Sequence, residues 1–554
     1  MKNRIKKIIA AFCAAAFVLC TVPSFGTYAS GSAADIYSEY ENSGVSCNLE
    51  TFASFCVRYF GLEGQAPAQN IYTDLNDSAA DVLRLVAMNV ISGCGDGTIG
   101  TSMTRERGYI ILSRLMYNRI GSSGAVLAPF VSQDMCTAAY WIERAENPYQ
   151  ILLTKEQIQS LNKSIINKSD TCMTDLSALP ERFNGKSYAA SLSKFKSPST
   201  HYINGSAVPE SYYEAIRKNI ANAEVSSDMP LKYGFATRYT VMKAYPYSDY
   251  LSDAAGDPEW DDFACSGVLC NEPLAIYFLT ADKKFAYVRS SICSGWVAYS
   301  DIAVCSGKSE WEYAKPNGKI LVVTGNRVYL EPGSADDELS EKLLTMGTVL
   351  KLIIPEDPDA RLINRAPWNN YVVSMPGRRA DGSYYEKKAM IPMNRDVHQG
   401  YLDFTQAGII TQAFKCLGDR YGWGGMLKSP DCSAYALNVY RCFGLNIPRN
   451  TTWQSLMPVR VDDIGGLAGD EKVNAIKSAP MGSILQFNGH EMIYLGESGG
   501  RLYTINDVSS IKNPSTDDGS VLRVRGVIVN DLLTVRMSGH TWLDDMNKII
   551  VPWQ

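Results

Sequence analysis

Asp431 to Tyr440 reads DCSAYALNVY, with YGWGG (Tyr421–Gly425) before it and FGLNIPRN (Phe443–Asn450) after it. Ala436, Val439, Tyr440 and Phe443 recur at helical spacing, and Gly444 and Pro448 stop the run, so the pattern predicts a helix over 432–443. Asp431 and Cys432 then sit at its start. Free backbone N–H groups and the positive end of the helix dipole favour a thiolate there, the nucleophilic form of cysteine. Cys442, on the apolar face of the same run, has the place of a structural cysteine.

A thiolate nucleophile needs a base, and the chain has four histidines. His201 and His398 lie in or beside the linker and barrel region, and His540 lies near the C-terminal end. His490 opens the strand HEMIYLG directly after the turn FNG, at the end of a sheet able to pack against the Cys432 helix. A third polar group orients such an imidazole. RLYTINDVS offers Asn506 at the end of the following strand, with Asp507 as the substitute. The surrounding stretch, 400–554, runs from the helix FTQAGIITQAFKCLGDRYG through the Cys432 helix to the strands SILQF, EMIYLG, RLYTIN and LRVRGVIV. Helices first and antiparallel strands afterwards make an α+β domain.

Further towards the N-terminus the composition changes. KFAYVRS, GWVAYS, KILVVTG and NNYVVSM are short alternating runs broken by Gly, Pro and Asp turns, which predicts two small barrels, at 205–305 and 306–395. The segment 140–200 carries a helix capped by Thr154, with Glu156 and Gln157 in its first turn. Residues 31–125 read as helical, with a weak repeat that aligns NLETFASFCVRYF (Asn48–Phe60) with TRERGYIILSRLM (Thr104–Met116). The first 30 residues place Lys2, Arg4, Lys6 and Lys7 ahead of an apolar run, the layout of a secretory signal, so the mature protein is expected outside the cell, secreted or on the wall.

With 46% hydrophobic and 20% charged residues and a net charge of -5, the chain has no basic bias, and nucleic acid is not an expected partner. Past the signal, no run is long and apolar enough to span a bilayer, so no membrane association is expected after its removal. The 14 cysteines lack paired Cys-x-x-Cys spacing; no zinc site is indicated, and neither metal nor other cofactor is expected. Cys265, Cys270, Cys293 and Cys305 are expected to form one or two disulfides, or to stay thiols in an anaerobic host.

Three resemblances extend this reading. YTDLND, VISGCGDGT and MTRER resemble S-layer homology repeats, which implies attachment to cell-wall polymers. The barrels, most of all GWVAYSDIAV, are similar to bacterial SH3-like domains that precede cell-wall peptidase domains and wall one side of their groove. RYGWGG, DCSAYALNVYRCFGLNIPRNT, GSILQFNGHEMIYLG and YTIND resemble, in order and separation, the NlpC family of papain-like cell-wall cysteine peptidases. That resemblance implies Cys432 as nucleophile, His490 as base and Asn506, where many members have histidine, as the orienting residue. It implies a subsite of Tyr421, Asp431 and Ser433 for the L-Ala-D-Glu part of a peptidoglycan stem peptide. The implied reaction cuts the γ-D-glutamyl bond to the diamino acid, meso-diaminopimelate or L-Lys, through an acyl-enzyme. Asp431 is able to pair with a free α-amine and so select peptides with a free N-terminal L-Ala, and the Cys432 N–H is able to donate to the oxyanion. An amidase or acyltransferase on the same fold, or a non-catalytic wall-binding protein, are the alternatives.

Overall fold

A computed structural model of the chain describes residues 124–554 apart from 197–199, 334–337, 358, 360, 363–364 and 515–519, together with scattered parts of 37–112. The expected signal segment, 1–30, lies outside the described residues. Among the described residues no helix is long and apolar enough to cross a membrane.

Near the N-terminus, helices α1 (Leu49–Tyr59) and α2 (Ala80–Ala87) bring Phe52, Cys56, Val57, Val82 and Leu85 into a small core of their own. Asp74 braces it by accepting the Ile99 and Gly100 N–H groups, each at 2.7 Å. The GCGDGT part of the S-layer resemblance falls largely outside the described residues.

Helix α3 (Lys155–Asn167) starts where Thr154 and Gln157 exchange side-chain and backbone hydrogen bonds, as the capping pattern predicts. Ile158 and Ile165, with Val131, Trp141 and Met173, are buried in the core of the C-terminal domain. The segment ahead of it wraps that domain: Tyr503 donates to the Phe130 carbonyl at 2.8 Å, Arg501 stacks on the Phe130 ring, and the Leu152 N–H meets the Phe404 carbonyl at 2.8 Å.

Two helices, α4 (Gly185–Leu192) and α5 (Glu210–Ala221), pack beside the first barrel. Its strands are β1 (Lys232–Ala236), β2 (Thr240–Lys243), β3 (Ala264–Val268), β4 (Pro273–Leu279), β5 (Phe285–Arg289), β6 (Ser294–Ala298) and β7 (Ile302–Val304). They form one antiparallel sheet in the order β7-β1-β4-β5-β6-β2-β3. Cys265, Cys270, Cys293 and Cys305 are free, so the disulfide expectation does not hold. The thiols of Cys265, Cys270 and Cys293 lie instead against the backbone carbonyls of Phe263, Thr237 and Ser294.

The second barrel holds β8 (Ile320–Val323), β9 (Arg327–Tyr329), β10 (Leu343–Thr345), β11 (Val349–Ile353), β12 (Asn370–Arg378), β13 (Tyr384–Pro392) and β14 (Val397–Gln399). Its main sheet runs β13-β12-β11-β8-β14, with β9 and β10 as a separate hairpin. His398 lies in β14, the strand that closes this sheet.

The C-terminal domain contains α6 (Gln406–Phe414), α7 (Cys432–Arg441), α8 (Thr451–Gln454), β15 (Arg460–Asp463), α9 (Gly469–Lys477), β16 (Ile484–Phe487), β17 (His490–Ser498), β18 (Arg501–Lys512), β19 (Val521–Asp531) and β20 (Lys548–Val551). The sheet order is β15-β20-β16-β17-β18-β19. Side chains alternate across the sheet. Ile484, Ile493, Tyr503, Ile505 and Val529 meet Ile409, Ala436, Val439 and Tyr440 of α6 and α7 on one face. Leu485, Phe487, Met492, Tyr494 and Val508 meet Val473 and Ile476 of α9 on the other.

Candidate active site

Helix α7 begins at Cys432 because Asp431 turns its carboxylate back to accept the Ala434 N–H at 3.0 Å. The thiol is buried. The helix-start argument for a thiolate is overruled here: burial first, then the charge of Asp431, push the Cys432 thiol well above its ordinary range. At rest Cys432 is a neutral thiol.

His490 follows the two-residue turn Asn488-Gly489, in register opposite Phe487, and its ring lies between Phe487 and Trp542. Nε2 stands 2.8 Å from Asn506 Oδ1. The Asn506 amide nitrogen donates to Asn530 Oδ1 at 2.7 Å and to Thr504 Oγ1 at 3.3 Å, which fixes Oδ1 towards the imidazole. An amide oxygen only accepts, so Nε2 carries the proton and Nδ1 keeps the basic lone pair. Asn530, missed in the sequence, is itself held by Thr534 Oγ1 at 2.9 Å. Burial lowers the His490 pKa to about 4, against a raising contribution from Asn506, so the base form persists well into acid. Among the described residues no hydrogen bond joins Cys432 to His490; the group beside the thiol on β17 is the Glu491 backbone N–H.

Asn506, not Asp507, therefore touches the histidine. Asp507 lies on the opposite face with Ile505, buried, with no hydrogen-bond partner for either oxygen among the described residues, and burial raises its pKa strongly. Replacing Asn506 with alanine is expected to release the imidazole tautomer and lower kcat by about ten- to a hundredfold, the scale of one buried hydrogen bond to a group that becomes charged. Steady-state kinetics with an unchanged thermal midpoint checks this; unaltered kcat overturns the role.

The expected amine-binding carboxylate needs correction. Asp431 accepts from Gly424 N at 3.0 Å, Ala434 N at 3.0 Å, Ser433 Oγ at 3.2 Å, and Arg449 Nη1 and Nη2 at 3.0 and 2.6 Å. A carboxylate has about four lone-pair sites, so none remains for a substrate amine. Burial alone would raise this carboxyl, but Arg449 outweighs it and holds Asp431 below the usual range. Ser433 is drawn into the same cluster by Arg449 Nη1 at 3.0 Å. Arg449 also donates from Nε to Ser266 Oγ of β3 at 2.9 Å, tying the nucleophile's N-cap to the first barrel.

That barrel supplies one wall. Trp260 stacks on Tyr421 and on Trp423, with interplanar angles of 1° and 25°. Its segment is pinned by ion pairs of Asp257 with Arg525 and of Glu259 with Arg420. Gly424 and Gly425 adopt φ of +56° and +87°, and a Cβ on either would run into the backbone of Ala264 or Gly267 on β3. The glycine-rich turn before the nucleophile is thus shaped by the barrel it touches. Among the described residues no cluster of His, Cys, Asp or Glu suited to a metal ion occurs.

Residues 418–517 match the NlpC/P60 family, and residues 249–298 match the SH3 domain of the SH3b1 type. No curated protein matches the chain. The NlpC/P60 endopeptidase from Photobacterium damselae subsp. piscicida is similar in fold, with 14% identity and a TM-score of 0.56 over 73% of this chain and 94% of that one. An NlpC/P60 family protein from Bacillus cereus aligns at 15% identity and a TM-score of 0.38, over 58% of this chain and 100% of that one. The C-terminal domain of this chain is an NlpC/P60 domain, carried behind a β-rich SH3 domain.

Proposed function

We propose that the protein is an exported cysteine endopeptidase that cuts the γ-D-glutamyl to diamino-acid bond of peptidoglycan stem peptides. The NlpC/P60 domain supports a cell-wall peptidase, and the observation that carries the chemistry is the Asn506–His490 pair, which leaves Nδ1 basic at the residue next to Glu491, whose backbone N–H lies beside the Cys432 thiol. In this reading His490 takes the thiol proton as substrate enters, because the resting thiol and imidazole are both neutral. The thiolate adds to the γ-glutamyl carbonyl, and the Cys432 N–H faces the developing oxyanion. His490 then protonates the leaving amine, and water releases the acyl group.

Tyr421 stays in the proposed subsite, and Trp260 and Trp423 join it through the stack. Asp431 and Ser433 shape the subsite through Arg449 rather than by taking the amine. A preference for free L-Ala then rests on the sequence resemblance alone, since Asp257 and Glu259 beside Trp260 are already paired with Arg525 and Arg420. Attachment to wall polymers through the N-terminal region remains a proposal that its sequence resemblance supports.

Incubation with L-Ala-γ-D-Glu-diaminopimelate, its N-acetyl form and intact sacculi, with products identified by mass, tests the reading. The expected products are L-Ala-D-Glu and diaminopimelate, with acetylation slowing cleavage about ten- to a hundredfold, the scale of one charge-assisted hydrogen bond. Cleavage at another bond of the stem overturns the assignment, and equal rates on both peptides overturn the amine preference.

A further inference from the structure

Directly after His490 on β17 stands Glu491, whose side chain faces α7 on the same side of the sheet as Ile493. It is 1% exposed, a deep place for a carboxyl. Its Oε2 accepts from Gln486 Nε2 at 2.8 Å, and the Gln454 side chain is its next polar neighbour. Glu491 Oε1 and Gln454 Oε1 are both buried, and neither has a hydrogen-bond donor among the described residues.

Turning the Gln454 amide over does not solve this. Gln454 Nε2 donates to the Pro448 carbonyl at 3.1 Å and to the Ser433 carbonyl at 3.4 Å; a flipped amide would set its oxygen against two carbonyls. A proton on Glu491 gives its Oε1 something to donate and supplies the donor that Gln454 Oε1 lacks. We propose that Glu491 is held as a neutral carboxylic acid that donates to Gln454 Oε1, and that this proton is a clamp positioning the first turn of the Cys432 helix against the His490 strand.

Through Gln454 the clamp reaches Ser433, next to the nucleophile, and Pro448, next to Arg449. Glu491 acts through these groups and is a positioning residue. Asp431 at the head of α7, Cys432 and Tyr440 on it and Arg449 beyond it are the charged or titratable groups around the carboxyl. Burial first, then the charge of Asp431, push it up to about 8, against Gln486, Gln454 and Arg449, so it holds its proton at neutral pH. Above that range the proton leaves to solvent. A carboxylate then faces an amide oxygen, and a new negative charge beside Cys432 opposes thiolate formation.

The inference rests on the peptidase reading for its kinetic consequence, but not for the proton itself, and the two are separable. Glu491→Gln supplies an N–H donor to Gln454 Oε1 without a titrating group; Glu491→Ala supplies nothing. In the full chain, infrared difference spectra near neutral pH are expected to show a buried carboxylic C=O band that Glu491→Gln removes. Between the ordinary carboxyl range and about 8 the folded protein keeps a proton that the unfolded chain has lost, so rising pH destabilises it. The melting temperature of Glu491→Gln is therefore expected to gain on wild type from about pH 5 to about pH 8. A missing band together with a constant difference overturns the proton, whether or not any peptide is cut.

With a cleavable peptide, wild-type kcat/KM is expected to fall about tenfold per pH unit on the alkaline side, and Glu491→Gln to move that limb up by at least about one unit. Glu491→Gln is also expected to recover most of what Glu491→Ala loses near pH 6. Superimposable alkaline limbs, or no rescue by glutamine, overturn the clamp even where the proton is present.

Discussion

Replacing Cys432 with alanine is expected to abolish the proposed stem-peptide hydrolysis, lowering the rate by at least about 10⁴-fold, because the proposed acyl-enzyme forms on its sulfur. The fold survives, since Asp431 still caps α7 through the Ala434 N–H and only one sulfur atom leaves the core. Circular dichroism and a release assay on the same preparation check both halves, and full activity in the variant removes the mechanism. Alkylation gives an independent reading. A helix-start thiolate would react first with iodoacetamide at mildly acidic pH, whereas a thiol pushed up by burial does not. Partly exposed Cys172 is expected to react ahead of Cys432 in the resting protein, and the Cys432 rate to climb as pH rises.

Arg449→Ala carries the largest expected loss of stability, about 3–5 kcal/mol, because it leaves the buried Asp431 charge without its counter-ion. The same change empties the contact to Ser266 and loosens the first barrel from the catalytic domain. Denaturant unfolding of Arg449→Ala, of Asp431→Leu and of the combined variant forms a cycle. The double variant is expected to be more stable than the sum of the single losses, since removing both charges leaves neither stranded. Strict additivity would show that the two side chains act apart.

Cys432 and His490 were legible as positions, a helix start and a strand start after a tight turn; Asn506 was read as the end of the next strand, which in fact runs on to Lys512. Asn506 was separable from Asp507 by alternation alone, and the structure puts the two on opposite faces of β18. Arg449 was hidden, since it meets Asp431 across a turn of the chain and has the look of a surface residue after Pro448. Glu491 was hidden by its neighbour: a charged residue at a strand start reads as solvent-facing, and only the packing of α7 and α8 over β17 closes it in. The two barrels showed in their broken alternating runs, while β15 and β20, four residues each, are too short to carry a periodic signal. The disulfide expectation came from cysteine number and compartment, and neither specifies where thiols end up.

The wrap of residues 128–173 around the C-terminal domain orders events during synthesis. Val131, Trp141 and Ile158 leave the ribosome early, yet the apolar surface they cover is built from α6, α7 and strands out to β20 at the far end of the chain. Domains made first usually fold first, but here the early segment has no finished partner until the last strand exists. Both barrels can close in the meantime, and the catalytic core cannot. Its assembly is a long-range closure of high contact order, slow relative to the barrels, so a chain truncated before β20 exposes Trp141 and Ile158 and holds no formed site.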